Sequence, residues 1–366
     1  MKEEIIYRIA LTFIEGIGSV QAKNLIDIFG TATNVFHASP QKIETIEGIG
    51  TIRAQNIKKF SNFDAAEQEL AFCIKHNIQP LFITDPLYPR RLLNCYDAPT
   101  MLYYRGVADL NATKVITIIG TRSNTDYGKS ITDKLVEGLS PHNVLVVSGL
   151  AAGIDAIAHK AALQNELNTV GVLGHGLDTI YPAQNKSLAK EMVEKGGLLT
   201  EFKKGTIPDA FNFPRRNRIA AGMADCVVVI ESNKKGGSMI TAEMAYQYNR
   251  ELFAVPGKLT DHKSSGCLSL IQQNKAIIYT DVDTLVTTMG WELNQKKATK
   301  KQRSLFIELT PDEQIIMNIF NEKEITHIDE LHIRSGLNSS SLAAAILNME
   351  LQNIILSMPG KIYKVL

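Results

Sequence analysis

Between residues 115 and 279 the chain repeats one pattern: a short apolar, β-branched run, often a glycine close behind it, then a longer amphipathic stretch. The runs are Val115 to Ile119, Val144 to Val147, Thr169 to Leu173, Leu198 to Thr200, Cys226 to Ile230, Leu252 to Val255 and Ala276 to Tyr279. Apolar runs without alternation belong to strands buried on both faces. With a helix-length segment between successive strands, they predict a doubly wound parallel sheet covered by helices. Gly120, Gly149, Gly174 and Gly257 sit where such strands turn sharply. In this architecture the turns lie along the carboxyl edge of the sheet, where helix N-termini and free amides meet ligands.

The 366 residues, 45% hydrophobic and 21% charged, are enough for at least one full core and roughly two or three domains. The amino end lacks a signal-peptide pattern and the longest apolar runs are strand-sized, so no membrane contact and a cytoplasmic location are expected. Cys73, Cys95, Cys226 and Cys267 have no metal-ligand spacing, so neither a structural metal nor a cofactor is expected. A net charge of +1 conceals an uneven distribution. Residues 1–76 carry eight basic and nine acidic side chains, and residues 309–366 carry four and seven. The basic excess lies in residues 77–290 and 291–308, which places any phosphate site centrally.

The densest cation cluster is Phe213-Pro214-Arg215-Arg216-Asn217-Arg218, in which three guanidinium groups share four positions. Arginine presents a planar fork of donors suited to phosphate oxygens, whereas a solvated charged loop would normally interleave carboxylates. Arg122 leaves the first strand in Gly120-Thr121-Arg122. Ser148-Gly149-Leu150-Ala151-Ala152-Gly153-Ile154-Asp155 follows the second, and Gly236-Gly237-Ser238-Met239-Ile240-Thr241 follows the strand at 226. Small residues at such turns let an anion approach backbone amides, although each turn taken alone reads equally as a tight strand-to-helix crossing. All of these segments aim at one edge of the sheet. Phe211, Phe213, Tyr127 and Tyr181 are the aromatics available for stacking on bases.

These motifs, with Tyr127-Gly128, Leu173-Gly174-His175-Gly176-Leu177-Asp178, Tyr181-Pro182 and Val255-Pro256-Gly257, closely resemble the DprA family, also called Smf, in order and spacing. The resemblance implies an extended Rossmann-like α/β core, a small helical N-terminal domain and a winged-helix C-terminal domain. It also implies a homodimer formed through the core, which binds single-stranded DNA and loads the RecA recombinase during natural transformation, without catalysis. The implied DNA-binding residues are Arg122, Ser148, Gly149, Arg215, Arg216, Asn217, Arg218, Gly237 and Ser238. Where many relatives carry a lysine after the Tyr-Pro pair, Ala183 stands here and Lys186 is the nearest cation. Where they carry an asparagine after Gly-Cys, Leu268 follows Gly266-Cys267.

The flanking regions fit this organisation. Residues 1–76 hold a repeat, Glu15-Gly16-Ile17-Gly18 and Glu47-Gly48-Ile49-Gly50, each followed by Ala and Asn at matching offsets, as in helix-hairpin-helix turns. Their net charge favours a structural or weakly DNA-contacting role. Residues 291–308, including the basic tract Gln295 to Arg303, read as a linker. Residues 309–366 have the outline of a winged helix-turn-helix, but Ser339 to Gln352, in the place of the recognition helix, has no lysine or arginine. A protein contact is therefore expected there.

Two enzyme readings compete. Gly128-Lys129-Ser130 resembles the end of a Walker loop and Val227 to Glu231 a Walker B strand, but the loop's first glycine position is Ser123. A nucleotide phosphoribohydrolase acting on nucleoside monophosphates would share the core and end its motif at Glu243, yet Met239 and Ile240 replace that motif's glycine and threonine. Asp155 and His159 share a helix face and are expected to fix that helix rather than to catalyse.

Overall fold

The computed structural model describes residues 2–292, 309–352 and 354–365. The basic tract Gln295 to Arg303 lies outside them. The chain forms two compact units, Met1–Thr284 and Leu285–Leu366.

The first unit opens with helices Lys2–Leu11, Ser19–Phe29, Ala32–His37, Pro40–Glu44, Gly50–Lys59 and Phe63–Lys75. Tyr7, Phe36, Phe60 and Phe63 stack edge-on or tilted at 5.2–5.9 Å between them. The repeat in this region has a reciprocal geometry. Asn24 donates to the Glu47 carbonyl at 3.3 Å and Asn56 to the Glu15 carbonyl at 3.0 Å. Arg53 spans both turns, donating to the Gly16 carbonyl at 2.8 Å and the Gly48 carbonyl at 2.7 Å. The matching alanines, Ala22 and Ala54, are buried. Each hairpin thus holds the other, which accounts for the repeat in structural terms.

A nine-stranded sheet follows among the described residues. Its strands are β1 (Gln79–Phe82), β2 (Met101–Gly106), β3 (Val115–Ile119), β4 (Leu145–Ser148), β5 (Thr169–Val172), β6 (Gly197–Thr200), β7 (Cys226–Val229), β8 (Glu251–Ala254) and β9 (Ile277–Ile278). The spatial order is β1-β2-β6-β5-β4-β3-β7-β8-β9. From β6 to β9 every pair is parallel, whereas β1 and β2 join antiparallel at the β6 edge. The parallel part is the doubly wound sheet expected from the apolar runs, and the whole is the extended Rossmann-like α/β core that the resemblance implied; β3, β4, β5 and β7 are buried along their whole length. The chain builds outward from β3 through β4, β5 and β6, then returns to β3's other side for β7, β8 and β9. The topological switch point therefore lies between β3 and β7, the position where open α/β sheets receive ligands.

The second unit contains helices Pro311–Glu322, Ile328–Ser335 and Ser339–Leu351, with β10 (Ile325–His327), β11 (Ile355–Met358) and β12 (Ile362–Val365) in the order β10-β12-β11. Thr310 and Glu313 form a capping box on its first helix. Ile316, Phe320, Leu331, Leu342, Ile346 and Met349 make its core, a winged-helix arrangement. The Ser339–Leu351 helix exposes Leu347 and Leu351.

Candidate nucleic-acid interface

A cavity of about 710 Å³ opens at the carboxyl ends of β3, β4 and β7. Gly120-Thr121-Arg122 lines it from β3, Gly149, Ala151 and Asp155 from the turn after β4, and Ser232, Asn233 and Gly236 to Ser238 from the turn after β7. Phe213, Pro214, Arg216 and Asn217 enter from the intervening helix Asn212–Gly222. Gly153 makes the crossing between the first two turns possible. Its φ is +78°, and a Cβ there would lie 2.3 Å from the Thr121 carbonyl oxygen.

The arginine cluster is helical rather than looped, because the helix begins at Asn212, before the cluster. With successive side chains rotated by about 100°, the three guanidinium groups point in different directions. Arg215 and Arg218, three residues apart, turn to the mostly buried carboxylate of Glu201, at 3.9 Å and 2.5 Å. Arg218 also donates to the Asp97 carbonyl at 2.6 Å, and Arg215 lies 5.2 Å from the Phe202 ring centre. Neither lines the cavity, nor does Lys186, the exposed first residue of helix Lys186–Lys195.

Arg216 turns inward. It is buried, and its Nη1 donates to the carbonyl oxygens of Gly149 and Val172 at the ends of β4 and β5. Burial lowers its guanidinium to about 10, with Asp155 opposing that shift and Arg122 adding to it. The Asp155 carboxylate accepts the amides of Gly149 at 3.1 Å and Ala151 at 3.3 Å. Burial raises its pKa against the pull of Arg216. Both groups flank the Gly149 α-carbon: a Cβ there would lie 2.5 Å from Arg216 Nη2 and 2.6 Å from Asp155 Oδ2. The Ser148 hydroxyl donates to the Ile118 carbonyl at 2.6 Å. The turn after β4 is therefore an internally satisfied wall of the cavity. Asp155, singled out in the sequence as a helix-fixing residue, stands in the first turn of helix Ile154–Gln164, where a carboxylate complements free amides.

Open donors lie on the other walls. Arg122 is exposed, with its Cζ 5.4 Å from the Phe213 ring centre. Phe213 stands 5.9 Å from Tyr181, tilted by 35°. A cation and two aromatic rings thus form one stacked face. Opposite, helix Gly237–Gln247 starts without a side-chain cap, and a Cβ on Gly237 would meet nothing within 4 Å. Ser238 donates to Ser232 Oγ at 2.7 Å. Of the other aromatics singled out, Phe211 is exposed and Tyr127 donates to the Pro256 carbonyl at 2.9 Å. Asn233, Pro208 and Ala210 also line the cavity and carry no sequence signal of their own.

The residues behind the enzyme readings are engaged elsewhere. Glu231 is buried and receives the Thr125 amide at 2.9 Å and the Thr125 hydroxyl, while Thr125 Oγ1 caps helix Asp126–Leu139 through Gly128 N at 3.1 Å. Gly128-Lys129-Ser130 is therefore ordinary helix. Glu243 pairs with Lys275 at 2.7 Å and does not line the cavity. His159 is buried, with Nδ1 2.6 Å from Thr169 Oγ1. Among the described residues no cluster of three metal-ligating side chains occurs, and no helix is long and apolar enough to cross a membrane.

Residues 79–290, the sheet and its helices, match the family described as DNA recombination-mediator protein A. The chain belongs to this family. Residues 301–361 match the DprA winged helix domain, and residues 9–61 match a SAM-like helix-hairpin-helix tandem. Protein Smf from Synechocystis is 36% identical over 288 residues, covering 78% of this chain and 72% of that protein. The X-ray structure of DprA from Streptococcus pneumoniae superimposes with a TM-score of 0.66 at 31% identity, over 77% of this chain and 96% of that one. DNA processing protein A from Helicobacter pylori, described for a unique single-stranded DNA binding mode, gives a TM-score of 0.53 at 30% identity, over 57% and 95%. The chain is thus similar to Smf in sequence and to DprA in fold.

Proposed function

We propose that this chain binds single-stranded DNA in the cavity between β3 and β7. Acting without catalysis as a cytoplasmic homodimer, it protects incoming strands and loads the RecA recombinase onto them during natural transformation. The observation that carries this reading is the stacked face of Arg122, Phe213 and Tyr181 opposite an uncapped helix N-terminus. Unpaired bases stack on aromatic rings whatever their sequence, while guanidinium groups and free amides take the phosphates. The single-strand binding described for the Helicobacter pylori relative supports it.

In this proposal residues 77–290 form the DNA-binding domain, between a helical domain at 1–76 and, after the linker 291–308, a winged helix at 309–366. Arg122, Asn217, Gly237 and Ser238 touch DNA directly. Arg216, Ser148 and Gly149 shape the wall behind them, and Arg215, Arg218 and Lys186 add field from outside the cavity.

Arg122→Ala is expected to weaken oligonucleotide binding and to flatten its salt dependence by roughly 0.7 in the slope of log affinity against log salt. Phe213→Ala should cost about 1–3 kcal/mol of binding with little change in that slope. Fluorescence anisotropy across a salt series, with single- and double-stranded oligonucleotides in parallel, measures both. An unchanged slope in Arg122→Ala removes that residue from the site, and a preference for duplex refutes the single-strand reading.

A further inference from the structure

A second cleft, of about 630 Å³, lies where helix Phe63–Lys75 meets the end of β2 that carries Arg105. Its lining includes Phe72, Lys75, His76, Arg105, Asp178 and Lys204. Phe72 and His76 stack at 4.5 Å between ring centres, and Lys204 Nζ lies 5.1 Å from the Phe72 ring centre. The nearby carboxylates are already engaged. Glu69 is buried and accepts the Lys204 amide through both oxygens, at 3.0 and 3.2 Å, while Asp178 accepts the Gly205 amide at 3.0 Å. Among the described residues neither Lys75 nor Arg105 has an acidic partner.

Two loops carry lining residues of both cavities. Asp178 lines the second and Tyr181 the first on one loop, and Lys204 lines the second and Pro208 the first on another. Three residues reach at most about 11 Å between α-carbons, a gap of about three nucleotides at the ~3.4 Å rise of a stacked strand.

We propose that a single strand leaving the β3–β7 cavity crosses these two loops and lays its next phosphates on Lys75, Arg105 and Lys204, with a base against the Phe72–His76 pair. The inference rests on the single-strand reading of the first cavity and extends it to a second contact. The N-terminal helical domain then holds DNA through the carboxyl end of its last helix. In the hairpin turns, by contrast, Arg53 is committed to the Gly16 and Gly48 carbonyls. The negative charge of residues 1–76 does not oppose this, because Lys75 and His76 stand at that domain's edge, facing the sheet.

The test uses the full-length protein with oligothymidylates of about five and about twenty nucleotides, titrated across a salt series. The double variant Lys75→Gln, Arg105→Gln should bind the short oligonucleotide unchanged. On the long one its salt slope should fall by about 1.4, two phosphates at roughly 0.7 each. Lys75→Gln alone, at an exposed helix end, should show about half that change and serves if the double variant folds poorly. Lys160→Gln, which removes an exposed cation elsewhere, should change neither length. If Arg122→Ala weakens both lengths while the double variant keeps the parent slope on the long strand, the second contact is refuted and the first stands. If Arg122→Ala changes neither length, the reading of the first cavity fails and the extension with it. An equal loss in Lys160→Gln would make the effect one of overall charge and also refute the second contact.

Discussion

Replacing Arg216 with alanine is expected to lower the unfolding free energy by about 3–5 kcal/mol, the cost of leaving a buried charge without its opposite. Arg216 and Asp155 are both buried, and they flank Gly149 where the ends of β4 and β5 meet helix Asn212–Gly222. Alanine also strips the Gly149 and Val172 carbonyls of their guanidinium donor. Chemical denaturation followed by circular dichroism measures the loss. Adding Asp155→Asn to the Arg216→Ala background should recover part of it, because no isolated charge then remains and the amide oxygen still accepts from Gly149 and Ala151. A cost below about 1 kcal/mol would mean that the pair is not buried as described. DNA binding by this variant reports on the site only after correction for the folded fraction.

Acid should destabilise the protein from below pH 6.5, the ordinary histidine value, down to about pH 3, where burial first and then the nearby Arg216 place the pKa of His159. Thr169 Oγ1 donates to the Val146 carbonyl at 2.9 Å, so it accepts from His159 Nδ1. The proton therefore sits on Nδ1, and among the described residues the buried Nε2 has no partner to receive a second one's hydrogen bond. In that window the unfolded chain binds a proton that the native state refuses, so the unfolding free energy falls as pH falls. The slope approaches about 1.4 kcal/mol per pH unit, or about 2 kcal/mol between roughly pH 7 and pH 5. His175 is shifted in the same direction, again mainly by burial. Denaturant titrations at successive pH values should show a shallower decline for His159→Gln than for the parent. Parallel curves would refute the assignment.

The parallel part of the sheet was legible because each strand from β3 to β8 announces itself as an apolar run too short for a helix. β1 and β2 were not. Gln79–Phe82 contains Pro80, and Met101–Gly106 contains Arg105 and a glycine, so neither resembles a buried parallel strand. β2 is placed by pairing with β6 and β1 by pairing with β2, which are tertiary facts. The positions of the site turns were equally legible, since they follow from strand ends. The orientations of the arginines were not. Sequence places Arg215, Arg216 and Arg218 in one cluster, but helical rotation sends two to Glu201 and one beneath the sheet edge. The carboxylates that receive or oppose them, Glu201 and Asp155, lie 14 and 61 residues before Arg215 and Arg216 in the chain. No local pattern links residues so far apart. The hairpin repeat was visible as a motif, and its meaning emerged only when each asparagine was found on the other hairpin.

The antiparallel seam between β2 and β6 bears on how the chain is made. Tyr103 pairs with Thr200 and Gly106 with Gly197, so β2 emerges from the ribosome on the order of a hundred residues ahead of its partner. At translation speeds of about 5–20 residues per second, its free hydrogen-bonding side stays unpaired for several seconds or more in the nascent chain. A strand in that position invites pairing with neighbouring chains, which a charged residue on it, here Arg105, disfavours.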